Sequence, residues 1–241
     1  MAAKKYIGTS GWSYKGWKDN FYPPKLADTE MLAYYSKIFD SVELNSSFYH
    51  LPTKSTIAKW VNNTPKNFIF SCKASRYLTH IKKLSDYQSG ITNLFSVLDG
   101  FGHKIGPILF QLPPRWSLNI ERLEQFITAL PSSYHYTFEF RDQSWLCPPV
   151  FDLLSKHQMA LCFYDYKGFQ APEIITSSFL YFRLHGPDLE PYKGHYGKAA
   201  LNELAKKMNK WSDKVNTIYC YFDNDQKVCA PYDANYLKDN L

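Results

Sequence analysis

Three short runs in this 241-residue chain place charged side chains where an apolar strand would end: Val42-Glu43-Leu44-Asn45, Thr137-Phe138-Glu139-Phe140-Arg141 and Phe182-Arg183-Leu184-His185. Side chains alternate faces along a strand, so each run separates an apolar packing face from a polar one. Brought together, Glu43, Glu139 and His185 have the chemistry of general acids and bases. Arg141 and Arg183 offer guanidinium forks for a phosphate or carboxylate, and Lys73 offers a point charge.

An alternation of strands and helices must position these groups. Apolar and aromatic runs predict strands at 5–9, 41–45, 68–73, 107–112, 135–141, 159–164, 179–185 and 217–222. Helical spacing and stop signals predict helices at 26–39, from 53 to the Thr64-Pro65 stop, and at 90–101, 118–130, 150–156, 198–211 and 230–241. A less regular helical piece is expected at 172–177. This order predicts one α/β domain, residues 1–241, folded as a single-domain (β/α)8 TIM barrel, for which roughly 250 residues is usual. A doubly wound open sheet is the rival, but no GxGxxG turn follows the first strand.

Closing a barrel gathers the C-terminal ends of its strands at one mouth. With Val42, Leu44, Phe68, Phe70, Ile108, Phe110, Phe182 and Leu184 against the helices, parity turns Glu43, Asn45, Ser71, Lys73, Gln111, Glu139, Arg141, Arg183 and His185 inward. Parity is undecided on strands six and eight, so Asp165, Asp223 and Asn224 reach the mouth by position alone. Glu43 and Glu139 then face Lys73, Arg141 and Arg183, which predicts a mildly positive mouth that His185 makes more so if protonated. The same charges could simply neutralise one another in a buried layer. Trp12, Tyr14, Trp17, Tyr49, Trp116, Trp145 and Tyr192 follow strand ends on the mouth side, either to stack on bases and sugars or to pack the loops.

A formal charge of +6 and a pI near 8.9 favour an anionic small molecule or nucleic acid as partner, although no Lys/Arg run forms a basic tail. Nothing in the sequence identifies a protein partner. Five cysteines without a CxxC pair read as reduced, packed thiols. With no export signal and no apolar run of about 18 residues, a cytoplasmic protein without a membrane span is expected. Glu43, Glu139, Asp165 and His185 could ligate a divalent metal, but HxxxH and HExxH spacings are absent and the nearby cations oppose one. No cofactor is predicted. No GxSxG elbow marks a serine nucleophile.

Several short motifs, in order along the chain, resemble the YecE-like family, domain of unknown function 72. They are Gly8-Thr9-Ser10-Gly11-Trp12-Ser13-Tyr14, Phe21-Tyr22-Pro23, Val42-Glu43-Leu44-Asn45-Ser46-Ser47-Phe48-Tyr49, Thr79-His80, Gln111-Leu112-Pro113-Pro114, Glu139-Phe140-Arg141 with Ser144-Trp145, and Arg183-Leu184-His185-Gly186. The resemblance implies a TIM barrel and no established reaction. After its last strand the family tends to carry Phe-Asn-Asn, whereas this chain has Phe222-Asp223-Asn224, which makes Asn224 the better match.

The leading expectation is an enzyme-like barrel whose aromatic-lined mouth binds a phosphate-bearing ligand, a nucleotide or nucleic acid. Glu43, Glu139 and His185 are the candidate catalytic residues. Trp12, Asn45, Tyr49, Lys73, His80, Gln111, Arg141, Trp145, Arg183 and Asn224 are the candidate binding residues. The alternatives are a non-catalytic nucleic-acid-binding module and a carbohydrate-active hydrolase using Glu43 and Glu139.

Overall fold

A computed structural model of the chain describes residues 2–241. Its parallel strands are β1 (Lys4–Thr9), β2 (Ser41–Leu44), β3 (Ile69–Lys73), β4 (Ile105–Leu112), β5 (Tyr136–Phe140), β6 (Ala160–Tyr166), β8 (Phe179–Leu184) and β9 (Thr217–Phe222), with a two-residue antiparallel β7 (Phe169–Gln170) on β6. The helices are α1 (Met31–Ile38), α2 (Ser46–Tyr49), α3 (Lys54–Asn62), α4 (Gln88–Leu98), α5 (Ile120–Thr128), α6 (Pro148–Lys156), α7 (Gly197–Trp211) and α8 (Cys229–Asp239). The strands pair in the order β1-β9-β8-β6-β5-β4-β3-β2. Eight parallel strands with alternating helices thus form the expected TIM barrel.

The barrel is nearly closed. Between β1 and β2 only Ser10 and Glu43 form a bridge. The Tyr35 hydroxyl from α1 fills the rest of the seam, accepting from Thr9 N at 2.9 Å and donating to Ser41 O at 3.1 Å. Gly8 permits this approach, because a Cβ there would stand 2.1 Å from Ser41 O.

Alternation along the strands builds two separate cores. Val42, Leu44, Phe70, Phe110, Phe138, Phe182 and Ile218 pack outward with helix residues such as Leu94, Phe126, Leu154 and Met208. Tyr6, Leu109, Cys162, Tyr181, Tyr219 and Tyr221 form the second cluster, inside the barrel. There, tyrosines from β8 and β9 face small residues across the barrel: the Tyr221 hydroxyl meets Ser41 Oγ at 2.6 Å and Ser71 Oγ at 2.8 Å. Tyr6, Tyr164, Phe179, Tyr181, Tyr219 and Tyr221 fill the barrel, where these large side chains fit because Gly8, Ser41 and Ser71 are small. All five cysteines are free.

Local sequence starts the helices as expected: Thr53 caps α3 by accepting from Thr56 N, and Asn119 caps α5 by accepting from Arg122 N. The helical piece expected at 172–177 does not form. Lys167 and Gly168 both have positive φ and make a two-residue turn that folds β7 back onto β6. The chain then continues without regular structure, with Thr176 Oγ1 donating to Met159 O at 2.7 Å and accepting from Leu161 N at 2.8 Å. This hairpin lifts Tyr166 over the mouth.

Candidate functional site

The C-terminal ends of the strands converge on the buried guanidinium of Arg183 from β8. Its Nε lies 3.1 and 3.0 Å from the two oxygens of Glu43, and its Nη2 lies 2.9 Å from Glu43 Oε1. Nη1 donates to Glu139 Oε2 at 2.8 Å, and Nη2 reaches Asp223 Oδ2 at 3.2 Å. Glu43 also accepts from Ser10 Oγ at 2.5 Å and from the Tyr181 hydroxyl at 2.6 Å. Burial pushes the Glu139 carboxyl up, but Arg141 and Arg183 outweigh it and hold the group well below the usual carboxylate range. Glu43 and Glu139 are fully buried and share one guanidinium, so a sugar cannot pass between them.

Asp223 enters this network beside His185, whereas the sequence had favoured Asn224. Asn224 instead fastens a loop to a helix, donating to Gly194 O at 2.8 Å and to Asp233 Oδ2 at 2.7 Å. The fully buried His185 ring shows Nε2 to Arg141 Nη2 at 2.9 Å and to Arg183 Nη1 at 3.1 Å. Both neighbours are donors, so Nε2 accepts, which leaves the ring proton to Nδ1; that atom lies 2.9 Å from Asp223 Oδ2 but outside hydrogen-bond alignment with it. Asp165 takes the outward parity of β6 and supports the site from behind, accepting from His185 N at 2.7 Å and from the Tyr196 hydroxyl at 2.5 Å.

Above this layer the donors are less completely used. Arg141 gives Nε to Glu139 and stacks over Tyr166, its carbon 3.8 Å from the ring centroid. Its Nη1 has no hydrogen-bond partner among the described residues. Lys73, at the end of β3, lays its ammonium 4.4 Å from the Phe48 ring centroid and has no ion-pair or hydrogen-bond partner there. Burial first, and then repulsion from Arg183, lower its pKa to about 8. His80 accompanies Phe48 edge-on at 5.0 Å; burial, then Lys73, Arg76 and Arg141, lower it to about 4. Gln111 pairs in register with Glu139, and its side-chain amide is free of protein partners.

The α2 turn connects this charged rim to an aromatic groove. Phe48 lies under Lys73, and Tyr49 on the same turn is 72% exposed. Trp12, Tyr14, Asn45, Tyr49 and Trp60 line a groove of about 600 Å³. Asn45 donates to Ser10 Oγ at 2.5 Å, while its buried Oδ1 has no partner. Trp145 stands apart: fully buried, it stacks on Phe140 and donates to Trp116 O at 2.5 Å, so it packs the loops and offers no face to a ligand.

Sequence reasoning missed Ser10 as the link between Glu43 and Asn45, Tyr181 as a Glu43 donor, and Tyr166 as the platform under Arg141. Parity signals Tyr181, which shares a face with Arg183. The Lys167-Gly168 pair between two aromatics signals the hairpin that lifts Tyr166.

Among the described residues, no group of three or more His, Cys, Asp or Glu side chains could hold a metal. Arg183 already occupies the place among Glu43, Glu139 and Asp223 that a bound cation would need. No helix among them is long and apolar enough to cross a membrane.

Fold and site define a TIM-barrel protein with a buried ion network at its C-terminal mouth. Residues 6–241 match the family model described as protein of unknown function DUF72, and the chain belongs to that family. It is 33% identical over 155 residues to the UPF0759 protein YunF of Bacillus subtilis (strain 168), covering 61% of this chain and 54% of YunF. It is 27% identical over 137 residues to the UPF0759 protein YecE of Escherichia coli (strain K12), covering 56% of this chain and 48% of YecE. These matches span about half the length of the curated relatives. The crystal structure of a DUF72 family protein from Thermotoga maritima MSB8 superposes with a TM-score of 0.89 at 27% identity, covering 98% of both chains. A DUF72 family protein from Enterococcus faecalis V583 shares the fold, with a TM-score of 0.82 at 19% identity over 98% of this chain and 95% of that one.

Proposed function

We propose that the barrel mouth is an enzyme-like site for a phosphate-bearing ligand, anchored by Lys73 and Arg141. The observation that carries this reading is the division of charge: Glu43, Glu139 and Asp223 are committed to Arg183, Arg141 and His185, while Lys73 and Arg141 Nη1 keep open donor positions. An anion satisfies both donors and relieves the repulsion that Lys73 feels. Lys73, with a pKa of about 8, replaces Glu43 and Glu139 as the group poised to exchange a proton near neutrality.

Titration with inorganic phosphate and with mononucleotides, followed by calorimetry, tests the reading. Binding should weaken by roughly tenfold or more in Lys73→Ala and in Arg141→Ala, the loss expected for a charge-assisted contact. Unchanged affinity in both variants would refute it.

A second reading, a non-catalytic module for single-stranded nucleic acid, draws support from the aromatic groove lined by Trp12, Tyr49 and Trp60 beside the charged rim, whose rings can stack on bases. Here Trp12→Ala should weaken oligonucleotide binding more than phosphate binding, and affinity should fall steeply with salt.

A further inference from the structure

We propose that Lys73 is a covalent nucleophile, and that the ligand is a phosphate-bearing aldehyde or ketone whose carbonyl carbon forms an imine with Nζ. This rests on the anion-binding reading of the same mouth and names its substrate class.

Lys73 is the mouth cation that the ion network leaves out. Arg183 has three carboxylate partners and Arg141 has Glu139, whereas Lys73 has the face of Phe48 and no counter-ion in contact. A lysine serving only to balance charge would be expected to pair with a carboxylate, and the three available ones are taken by guanidinium groups. Burial and the Arg183 guanidinium disfavour the ammonium and outweigh the attraction of the Phe48 ring face, and these are two means by which an amine is kept nucleophilic. Lys73 remains partly accessible at the end of β3, so a carbonyl compound can reach it from the mouth.

The neighbours supply the rest of the site. Arg141 Nη1 is free to hold the phosphate. The Gln111 amide has no protein partner and can donate to the carbonyl oxygen. The neutral Nζ lone pair attacks the carbonyl carbon, and the C=O electron pair moves to oxygen, which takes a proton. The resulting carbinolamine loses that oxygen as water as the nitrogen lone pair forms the C=N bond. A protonated amine and a carbonyl therefore yield a protonated imine and one water, with no oxidant or reductant consumed. The cationic imine keeps the charge at Lys73, which the phosphate then neutralises.

Glyceraldehyde 3-phosphate with sodium cyanoborohydride tests this step, because hydride addition to the imine carbon leaves a stable secondary amine readable by peptide mass spectrometry. Lys73 should be labelled at least about tenfold faster than any exposed lysine, as a pKa lowered by more than one unit implies. Labelling should rise with pH through about 8, and glycerol 3-phosphate, which has no carbonyl, should suppress it. Lys73→Arg keeps the cation, so it should still bind glycerol 3-phosphate and show no adduct at position 73 or elsewhere in the mouth. If wild-type protein binds glycerol 3-phosphate but Lys73 is labelled no faster than surface lysines such as Lys198, the covalent step is refuted and anion binding stands. If neither compound binds, both fail.

Discussion

Arg183 grips Glu43 with two of its nitrogens inside a barrel whose strands β8 and β2 are not neighbours, at 3.0 and 3.1 Å from Nε and 2.9 Å from Nη2. The contact therefore ties the sheet across its interior. Removing one partner of a buried ion network leaves the others charged and unpaired. Arg183→Met should cost about 3–5 kcal/mol, because Glu43, Glu139 and Asp223 all lose a donor. Arg183→Lys should recover only part of this, since a point charge cannot form the fork. Urea unfolding of both variants checks the order.

Lys73→Met should stabilise the protein while weakening anion binding by roughly tenfold or more. The folded-state pKa is about 8 against an ordinary 10.5, so between those values the unfolded chain binds the extra proton and wild-type stability rises with pH. Below about pH 8 the buried ammonium carries its full penalty, and the variant should be more stable by about 1–3 kcal/mol. Above pH 10.5 the gap should close. Thermal melts of the two proteins across pH 7 to 10.5 measure it.

The β1–β2 seam depends on two residues outside the ion network. Tyr35→Phe removes the hydroxyl that serves both Thr9 N and Ser41 O, at an expected cost of about 1–3 kcal/mol for unpaired buried groups. Gly8→Ala forces a methyl against Ser41 O and should open the seam at a cost of about 3 kcal/mol or more. Denaturant melts give both values, and amide exchange in β1 and β2 should accelerate in both variants.

Acid should unfold the protein through Glu139 and Asp223. Both have folded-state pKa values below their ordinary ones despite burial, held down by Arg141 and Arg183 for Glu139, and by His185 and Arg183 for Asp223. Their contribution is fully present above the unfolded values of about 4.5 and 3.8, and it disappears as pH falls through the lower folded values. Glu139→Gln should therefore be less stable at pH 7 and show a flatter loss of stability in acid.

The strand–helix alternation and the inward parity of Glu43, Glu139, Arg183 and His185 were legible in the sequence, because a strand's two faces follow from backbone geometry alone. The outward parity of Val42, Phe70, Phe110 and Phe182 was legible for the same reason. Parity stayed undecided where aromatics occupy both faces: in Thr217–Phe222, Tyr219 and Tyr221 fill the barrel while Ile218 and Phe222 face the helices. The 172–177 segment was misread because turn chemistry at Lys167-Gly168 had already reversed the chain.

The sequence by itself determined which strand ends carry Glu43, Lys73, Glu139, Arg141, Arg183 and His185, since period and order are local properties. Only the tertiary structure decided how they divide the work. Which cation meets which carboxylate depends on distances across a closed barrel, and those distances bind Arg183 to Glu43, Glu139 and Asp223 while leaving Lys73 without a counter-ion.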